Sequence, residues 1–463
     1  MQTDQPLRAV VVGASIAGLV ASRVLSDHVD EVVIVERDAI DDQAVARPGV
    51  PQAIHVHVLL RRGYLEFARL FPSFDRRLTA AGGLDVDLLR DGVWILPFGT
   101  APRGPSRLRT RSATRALLEG LIRELTLERT NVRLLDRHEV IGLAGTATAV
   151  RGVTVRPRPA RTGERDGESF DLDAWLVVDA SGRTSKAPAH LAAIGAPVPD
   201  ETVVDASLRY ATRLYRVPRD PRDWKVLLVR DRPPAGTRGG GVYEVEGGRW
   251  VVTLGGAGTD QPPTDEGGFL DFARSLISPR LHDEIREAEP LTPVRGWART
   301  GNRWRHVERI RQWPAGFALV GDAMCALNPV YGQGMSVAAM EGGVLAAWLE
   351  TPGVRRARRS AATPDTRELV RALARTARLP WFLAVGEDAR VEGVTGAAPP
   401  GRIEALGRRY VDEVLLHAMR DTHTLRRFTE VSNLVRPPLA LLDPMVASRV
   451  VAGVLKRRLG GRS

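Results

Sequence analysis

Three small residues and one carboxylate near the start of the chain have the types and spacing of a phosphate- and ribose-binding site. Gly13, Ser15 and Gly18 lie in a short turn, and Glu36 follows about twenty residues later. Gly13 permits a tight turn, Gly18 lets a helix pack closely on a strand, and N–H groups at the helix start can donate to a pyrophosphate. Ser15 stands where glycine is usual. The spacing predicts a dinucleotide site, with an ordinary strand-to-helix turn as the alternative.

A second cluster with similar chemistry lies far along the chain. An apolar run ends at Asp322, and a turn rich in proline and glycine follows from Asn328 to Met335. Such a turn presents bare N–H groups at the start of a helix, near Gly334, where an electron-rich or anionic group is stabilised. Asp322 can accept hydrogen bonds from a polyol, or it can simply cap the helix.

Two basic residues and two histidines are further candidates. Arg47 suits phosphate oxygens through its planar fork, although a solvated loop arginine would look the same in sequence. Arg115 stands near the start of a predicted helix, so it points toward whatever the helix terminus faces. His55 and His57 share one face if their segment is extended. Without a third ligand at a suitable spacing we expect no metal site, and a role in lining a ligand is the better interpretation.

The elements that position the first cluster form a βαβ unit. Residues 8–12 and 31–36 are short β-branched strands, and residues 18–25 have the spacing of a packed helix. A helix is predicted over 112–128 with Thr114 as its cap, and residues 131–135, 138–143, 152–157 and 170–178 are predicted strands. The last of these ends in the small-residue motif 179–185, which marks a second turn near the same sheet edge.

The pattern changes to alternation between residues 201 and 258. Strands at 208–217, 224–229, 241–245 and 249–254, joined by glycine-rich turns, predict an antiparallel sheet with one covered face. Its aromatic residues Tyr210, Tyr215, Tyr243 and Trp250 either line a ligand cavity or form core. Further on, helices are predicted at 269–288, 334–350, 366–378, 401–420 and 425–434 and from Asp443 onward, a strand at 297–303, and loops at 354–363 and 393–401.

Composition excludes several classes of protein. The chain has 463 residues with a net charge of +11, but only three are lysines and its arginines are scattered, so a coding bias explains the charge better than nucleic-acid binding. Cys325 is the single cysteine, which excludes an intrachain disulfide and a cysteine-based metal site. We see no signal peptide and no apolar run of membrane-spanning length, and therefore expect a cytoplasmic protein.

The order of these motifs, residues 13–18 with Glu36, then 179–185, then 321–335, resembles the flavoprotein monooxygenases of the aromatic-hydroxylase (p-hydroxybenzoate hydroxylase-like) fold. Residues 47–57, 210–215 and 328–336 look like those of bacterial epoxidases that act on polyene precursors of polyethers, relatives of squalene epoxidase. The resemblance implies an α/β fold with a Rossmann-like FAD-binding domain, an antiparallel-sheet substrate domain and a helical C-terminal region. The implied segments are 1–75, 111–200 and 296–352 for FAD binding, 76–110 and 201–295 for substrate, and 353–463 for the helical region.

The resemblance also assigns roles to individual residues. It places the ADP part of FAD at the turn, the ribose at Glu36, the pyrophosphate or ribityl side at two arginines, a ribityl hydroxyl at Asp322, and the isoalloxazine edge at residues 332–335. The implied cofactor residues are Gly13, Ser15, Ile16, Ala17, Gly18, Glu36, Arg37, Arg47, Arg115, Val140, Asp322, Gly332, Gln333, Gly334 and Met335. The implied substrate-pocket residues are His55, His57, Tyr210, Arg213, Tyr215 and Trp250. The middle motif reads Asp179-Ala180 where the family usually has Asp-Gly, which puts its usual link to NADPH in doubt.

The implied activity is insertion of one oxygen atom from O2 into an alkene or an electron-rich ring of an apolar secondary metabolite, through a C4a-hydroperoxyflavin. The flavin would be reduced by NAD(P)H directly or through a partner flavin reductase. Epoxidation demands no acid–base residue, and none is assigned. The alternatives are a flavin-dependent halogenase, a prenyl-chain reductase and a non-catalytic FAD-binding sensor. The halogenase pattern Trp-x-Trp-x-Ile-Pro is absent from residues 91–97.

Overall fold

The computed structural model describes residues 6–40, 51–159 and 167–460, which form five sheets with helices around them. The two largest, of five and seven strands, differ in character. The strands are β1 Arg8–Val12, β2 Glu31–Val35, β3 Leu84–Asp87, β4 Gly92–Leu96, β5 Gly99–Thr100, β6 Arg109–Ser112, β7 Val132–Leu135, β8 His138–Thr146, β9 Ala149–Pro157, β10 Phe170–Asp173, β11 Leu176–Asp179, β12 Glu201–Val204, β13 Arg209–Arg216, β14 Val226–Arg230, β15 Gly239–Val245, β16 Arg249–Gly256, β17 Arg295–Trp297, β18 Asn302–Arg305, β19 Phe317–Leu319 and β20 Cys325–Ala326.

The α-helices alternate with strands in the first half and dominate the last quarter. They are α1 Ile16–Leu25, α2 Arg61–Leu70, α3 Phe74–Ala80, α4 Arg115–Leu127, α5 Ala187–Ala193, α6 Glu266–Arg274, α7 Arg280–Ile285, α8 Gly334–Leu349, α9 Pro352–Arg359, α10 Arg367–Asp388, α11 Arg402–Ala418, α12 Thr422–Ser432 and α13 Pro444–Gly460. The predicted cap of α4 is confirmed, since the Thr114 hydroxyl accepts from the Leu117 N–H at 3.2 Å.

The first sheet is parallel and has the order β19-β11-β1-β2-β7. Its central strand β1 sets Val10 opposite both Val33 of β2 and Val177 of β11, and all three side chains are fully buried. A parallel sheet needs both faces covered, which explains these continuous apolar runs. Helices α1, α4 and α8 pack around it. Because all five strands run in the same direction, their carboxyl ends lie at one edge.

The second sheet has seven strands in the order β17-β13-β16-β15-β14-β4-β5. Neighbours are antiparallel except β4 and β14, which run parallel because β4 is inserted from an earlier part of the chain. Helices α6 and α7 cover one face with a core that includes Leu227, Trp250 and Phe269. The predicted fold class, α/β with a parallel sheet, an antiparallel sheet and C-terminal helices, is confirmed.

Several predicted boundaries are wrong for identifiable reasons. Residues 170–178 form two strands in different sheets, because Trp175 donates its N–H to Arg8 and its indole to Ala362, taking the chain across to β1. The helix predicted at 269–288 is two helices, α6 and α7, separated at Pro279, which lacks the N–H that a continuous helix needs.

Two further predicted boundaries, at residues 297–303 and 354–363, are also wrong. Residues 297–303 contribute to two strands, since β17 pairs with β13 while β18 pairs with β12. Residues 354–363, expected as a loop, begin inside helix α9, which starts at Pro352 and buries Val354 against the core. Proline at the first helical position and an anchored apolar residue stabilise this short helix.

In the described ranges, no helix combines the length and apolar character needed to cross a bilayer. Nor does that part of the chain bring three histidine, cysteine, aspartate or glutamate side chains together as a metal site would require.

Candidate functional site

The motifs predicted from sequence meet at the carboxyl edge, which we define as the edge where β1, β2, β11 and β19 end. The turn after β1 contacts the turn after β11 closely: a Cβ on Gly13 would lie 2.8 Å from the Ala180 carbonyl oxygen. Gly13 also has φ +100°, a conformation that glycine adopts readily. The turn after β19 is equally close, since a Cβ on Gly321 would lie 2.8 Å from Ala17. Three segments far apart in sequence therefore form one site.

Glu36 is held in a fixed position by backbone donors on both sides. Its two carboxylate oxygens accept from the Ala14 N–H at 2.8 Å and the Asp38 N–H at 2.9 Å. The side chain is 5% exposed, so the carboxylate is oriented before any ligand arrives. Because each carboxylate oxygen has further lone-pair capacity, Glu36 can still accept from a diol.

Ser15 has a partner that explains its departure from glycine. Its hydroxyl donates to Glu119 at 2.7 Å and accepts from the Arg115 guanidinium at 2.8 Å. Arg115 and Glu119 also form an ion pair at 2.8 Å, with both side chains buried. Glu119 was missed from sequence, although its position four residues after Arg115 on one helix face was a usable signal. This cluster fixes Arg115 beside the glycine-rich turn.

Asp322 lies half-buried just after Gly321, at the end of β19. Burial raises the pKa of its carboxyl, while the guanidinium groups of Arg183 and Arg115 act in the opposite direction. Arg183 belongs to the motif 179–185 and donates to the carbonyls of Gly301 and, at 2.9 Å, Leu327. The middle motif therefore contributes a positive charge to the Asp322 environment.

Glu341 stabilises the Gly321–Asp322 turn through a hydrogen bond. It lies on α8, is 2% exposed, and accepts from the Gly321 N–H at 2.6 Å. Its other oxygen, Oε1, has no hydrogen-bond partner among the described residues. Burial, reinforced by Asp322, raises the pKa of Glu341 to about 8. Burial therefore favours the protonated form of this side chain.

Residues 332–335 form the turn that starts α8. Gly332 has φ +64°, and a Cβ there would lie 2.9 Å from the Val58 Cβ. Gln333 is 4% exposed, and its Oε1 has no hydrogen-bond partner in the described part of the chain. Gly334 is exposed and Met335 is buried. An acceptor buried without a donor is costly, so this turn is suited to receive a donor from a ligand.

A carboxylate from the C-terminal helices fixes the same turn. Asp388, at the end of α10, accepts from Asn302 at 2.6 Å, from Asn328 at 3.1 Å and from the Tyr331 hydroxyl at 2.5 Å. It is 1% exposed, and burial raises its pKa despite these three donors. No local sequence signal pointed to Asp388.

A large cavity of about 1050 Å³ adjoins residues 329–333. One wall is the uncovered face of the seven-stranded sheet, the second is the segment 53–60, and the third is formed by the C-terminal helices. The apolar lining includes Leu60, Trp94, Leu96, Leu208, Leu214, Val226, Leu228, Tyr243, Val251, Phe382, Leu415 and Phe428. Its size and composition suit an apolar small molecule.

The predicted histidines lie in this cavity wall and are neutral. His55 Nδ1 lies 2.8 Å from the Thr212 hydroxyl, which in turn lies 2.7 Å from that of Thr253. The His55 ring stands edge-on to Tyr210 at 4.8 Å between centroids. Burial lowers the pKa of His55 to about 4 and that of His57 to about 3. His57 Nδ1 donates to the His55 carbonyl at 3.0 Å.

Three of the six predicted pocket residues do not present their side chains to the cavity. Tyr215 and Trp250 lie on the opposite face of the sheet, in the core beneath α6 and α7. Arg213 borders the cavity, but its guanidinium pairs with Glu266 of α6 and lies over the Tyr215 ring. Residues 211, 213 and 215 share a strand face that residue 210 does not, because side chains alternate. The assignment of Tyr215 and Trp250 to the pocket is therefore corrected.

The remaining predicted cofactor residues lie in varied settings. Ile16 and Gly18 are buried in α1, and Ala17 lies beside Gly321. Arg37 is exposed, and Val140 is packed in the core opposite Val155. Arg47 falls outside the described residues, so its role stays a prediction.

Comparison with known proteins gives a family and a fold. No family model matches the chain. It is 31% identical to protein Rv3254 of Mycobacterium tuberculosis over 444 residues, covering 93% of this chain and 91% of that protein. It is 23% identical over 343 residues to squalene epoxidase 2, mitochondrial, of Arabidopsis thaliana, covering 73% of this chain and 53% of that enzyme.

Solved structures share the fold at low identity. The flavin-dependent brominase Bmp2, as a triple mutant, has a TM-score of 0.66 at 14% identity and covers 97% of this chain and 99% of its own. A flavoprotein/dehydrogenase from Cytophaga hutchinsonii has a TM-score of 0.65 at 14% identity and covers 99% and 100%. PqsL of Pseudomonas aeruginosa, described as a probable FAD-dependent monooxygenase, has a TM-score of 0.58 at 14% identity and covers 83% and 97%. The chain therefore belongs to the family of protein Rv3254, and it has the aromatic-hydroxylase-type fold of FAD-dependent monooxygenases and halogenases that its motifs predict.

Proposed function

We propose that the protein binds FAD along the carboxyl edge and oxygenates an apolar substrate in the adjoining cavity. One observation carries the proposal: residues 329–333 border the cavity and lead directly into α8, whose first turn lies at the carboxyl edge beside Asp322. A cofactor lying along that edge would reach the cavity with its far end. The site would thus bring a reactive ring and an apolar ligand together.

The residues present fit FAD in their donor and acceptor chemistry. The turn at residues 13–18 and Arg115 would hold the pyrophosphate, Glu36 the adenosine ribose and Asp322 a ribityl hydroxyl. The buried Gln333 Oε1 has no donor among the residues that the structure describes, and a ring N–H would supply one. When bound and reduced, the flavin supplies the chemistry that activates O2. Arg47 is proposed as a further pyrophosphate contact on sequence grounds alone.

The proposed net reaction is alkene plus O2 plus NAD(P)H plus H⁺ giving epoxide, water and NAD(P)⁺. The protein's own part is to exclude water and to orient the alkene, which the apolar lining favours. Neutral His55 and His57 can donate or accept hydrogen bonds there without placing a charge against the ligand. Hydroxylation of an electron-rich ring would use the same groups. NAD(P)H would reduce the flavin directly or through a partner reductase, and we expect the reaction to occur in the cytoplasm.

A halogenase is the alternative that shares this fold. Among the side chains that the structure describes, no lysine lines the cavity. Lys225 donates to the Asp85 carbonyl and Lys186 pairs with Glu139, so both are engaged elsewhere. We therefore favour oxygenation over halogenation.

The experiment has two stages. Purified protein is titrated with FAD by fluorescence quenching, and we expect Asp322→Ala and Arg47→Ala each to weaken binding at least tenfold. Asp271→Ala, at an exposed position of α6, is the control and should bind as wild type. Wild-type affinity in both site variants would overturn the assigned site, and absence of FAD binding by the unmodified protein would overturn the function.

The second stage separates the activities. Protein with FAD, a flavin reductase and NADH is incubated under ¹⁸O2 with alkenes and phenols, with and without chloride or bromide. Mass spectrometry should find one ¹⁸O atom in the product. A halogenated product would favour the halogenase, a saturated chain the prenyl reductase, and flavin reoxidation without any product the sensor.

A further inference from the structure

Arg230 is a cation at the cavity wall that no carboxylate of the described residues contacts. It is the last residue of β14 and lies on the same strand face as Val226 and Leu228, which line the cavity. Its guanidinium lies over the ring of Tyr331, 5.4 Å from the ring centroid. The side chain is only partly exposed. A cation between apolar walls and an aromatic face is stabilised when an anion binds to it.

Two carboxylates, Glu387 and Asp388, act on the Arg230 charge through space, and both accept hydrogen bonds from other groups. Glu387 accepts from Arg232 at 2.8 Å, and Asp412 accepts from Arg390 at 3.1 Å. Asp388 is held by two asparagines and Tyr331, as described above. Asp231 accepts from the Arg232 backbone N–H at 2.7 Å. Within residues 6–40, 51–159 and 167–460, Arg230 forms no ion pair.

Other arginines that border the cavity differ in this respect. Arg111 pairs with Asp75 at 2.6 Å and Arg249 with Glu246 at 2.8 Å. Arg232 pairs with Glu387, and Arg213 with Glu266. Arg295 stands at an exposed position, where water solvates its charge. Among these six arginines and within the described part of the chain, only Arg230 combines partial burial with the lack of a carboxylate at ion-pair distance.

We propose that Arg230 binds a carboxylate on the substrate, so that the ligand class is a long apolar alkene with an acid group at one end. The oxygenation of this ligand rests on the proposed function, whereas its binding to Arg230 does not. A guanidinium holds a carboxylate through two parallel hydrogen bonds, which fixes the end of the chain as well as its charge. The rest of the cavity then holds the hydrocarbon. Anchoring one end determines which double bond reaches the cofactor side at residues 329–333.

The test compares three ligands with one chain and different ends: farnesoic acid, methyl farnesoate and farnesol. Isothermal titration calorimetry on FAD-loaded protein should show the acid binding at least tenfold more tightly than the ester and the alcohol, the scale of a charge-assisted hydrogen bond. Arg230→Gln should abolish that preference while leaving ester and alcohol affinities within about twofold. Arg230→Lys keeps the positive charge but cannot form two parallel hydrogen bonds, so it should retain part of the preference for the acid.

The matched control is Arg216→Gln, on β13 of the same sheet, whose exposed side chain pairs with Glu289. It should leave all three affinities unchanged. Equal affinity of the wild type for the three ligands, or an undiminished acid preference in both Arg230 variants, would overturn the inference. FAD content and thermal midpoint are measured on each variant to show that it is folded. Failure of the proposed function would appear separately, as missing FAD or missing ¹⁸O product, while the ligand affinities would still report on Arg230.

Discussion

The carboxyl edge and the cavity satisfy their polar groups in opposite ways. At the carboxyl edge Ser15, Arg115, Glu119 and Glu36 are hydrogen-bonded within the protein before any ligand binds. In the cavity wall four arginines are paired with carboxylates, but His55 Nε2 and Gln333 Oε1 are buried without partners among the described residues. We expect the first region to bind one invariant ligand. The second leaves these two atoms to be satisfied by whatever enters.

This difference has an energetic consequence. Pre-formed hydrogen bonds reduce the cost of ordering side chains when the ligand arrives, which favours a tightly held cofactor. An apolar cavity with sparse polar groups gains its discrimination from the penalty of leaving those groups unpaired. We therefore expect substitutions at the carboxyl edge to affect folding and cofactor binding together. Near neutral pH, substitutions in the cavity wall should affect ligand choice more than stability.

The largest expected effect is at the Arg115–Glu119 pair. Arg115→Met removes the guanidinium that compensates a buried carboxylate, which should cost about 3–5 kcal/mol of unfolding free energy and most of the FAD affinity. The double variant Arg115→Met/Glu119→Leu removes both charges and should recover stability but not FAD affinity. Urea unfolding and FAD titration measure the two effects. Recovery of both in the double variant would show that the pair is structural only.

Adjacent residues on β14 provide the sharpest test of the two faces of the second sheet. Leu227 is fully buried beneath α7, whereas Leu228 lines the cavity. Leu227→Ala should cost about 2–5 kcal/mol, because it opens a hole in packed core. Leu228→Ala should cost less than about 1 kcal/mol and instead change which ligands bind. Similar losses in denaturant unfolding for both variants would contradict the assignment of the faces.

The neutral histidines make stability depend on acid pH. The folded-state pKa of His55, about 4, lies below its unfolded value of 6.5, so the unfolded chain binds more protons between these limits. The stability is fully present above pH 6.5 and is lost as pH falls toward 4, by about 3 kcal/mol for His55. His55→Asn should flatten this dependence, with His57 accounting for what remains. An unchanged pH profile in His55→Asn would contradict the neutral state.

An effect with the opposite pH dependence is expected at Glu341. Its pKa of about 8 in the fold exceeds the unfolded value of 4.5, so its protonated form is favoured by folding, and stability declines as pH rises through that range toward 8. Glu341→Gln should abolish that decline and still accept from Gly321. Glu341→Leu leaves the Gly321 N–H unpaired, which should cost about 1–3 kcal/mol and weaken FAD binding. Equal FAD affinity in the two variants would argue against a supporting role for the carboxyl.

The parts of the site that follow from local rules were predictable from sequence. Glu36 was found because the distance between a glycine-rich turn and the end of the next strand is fixed by the βαβ unit. The cap at Thr114 and the start of α8 follow from turn and capping chemistry. The meeting of these segments at one edge follows from the parallel sheet.

Contacts between distant segments were not predictable in this way. Glu119, which accepts from the Ser15 hydroxyl, lies on α4 more than a hundred positions later. The residues around Ser15 do not indicate this contact. The alternation of side chains along a strand, by contrast, places Tyr210 and Tyr215 on opposite faces of the sheet. Both tyrosines cannot line the same cavity, and this is predictable from their positions in the sequence. Residues 170–178 divide into two strands because the first half pairs with β9 and the second half with β1. These pairings depend on segments far away in the sequence.

The link from Asp388 to the turn before α8 has a consequence for synthesis of the chain. Asn328 and Tyr331 are 60 and 57 residues upstream of the carboxylate that holds them. A growing chain folds from its N-terminus while it leaves the ribosome, and this turn must wait for α10 to emerge before its last hydrogen bonds can form. The turn at residues 13–18 can therefore take shape early in translation, whereas the turn that faces the cavity is completed only when the final quarter of the protein is being made.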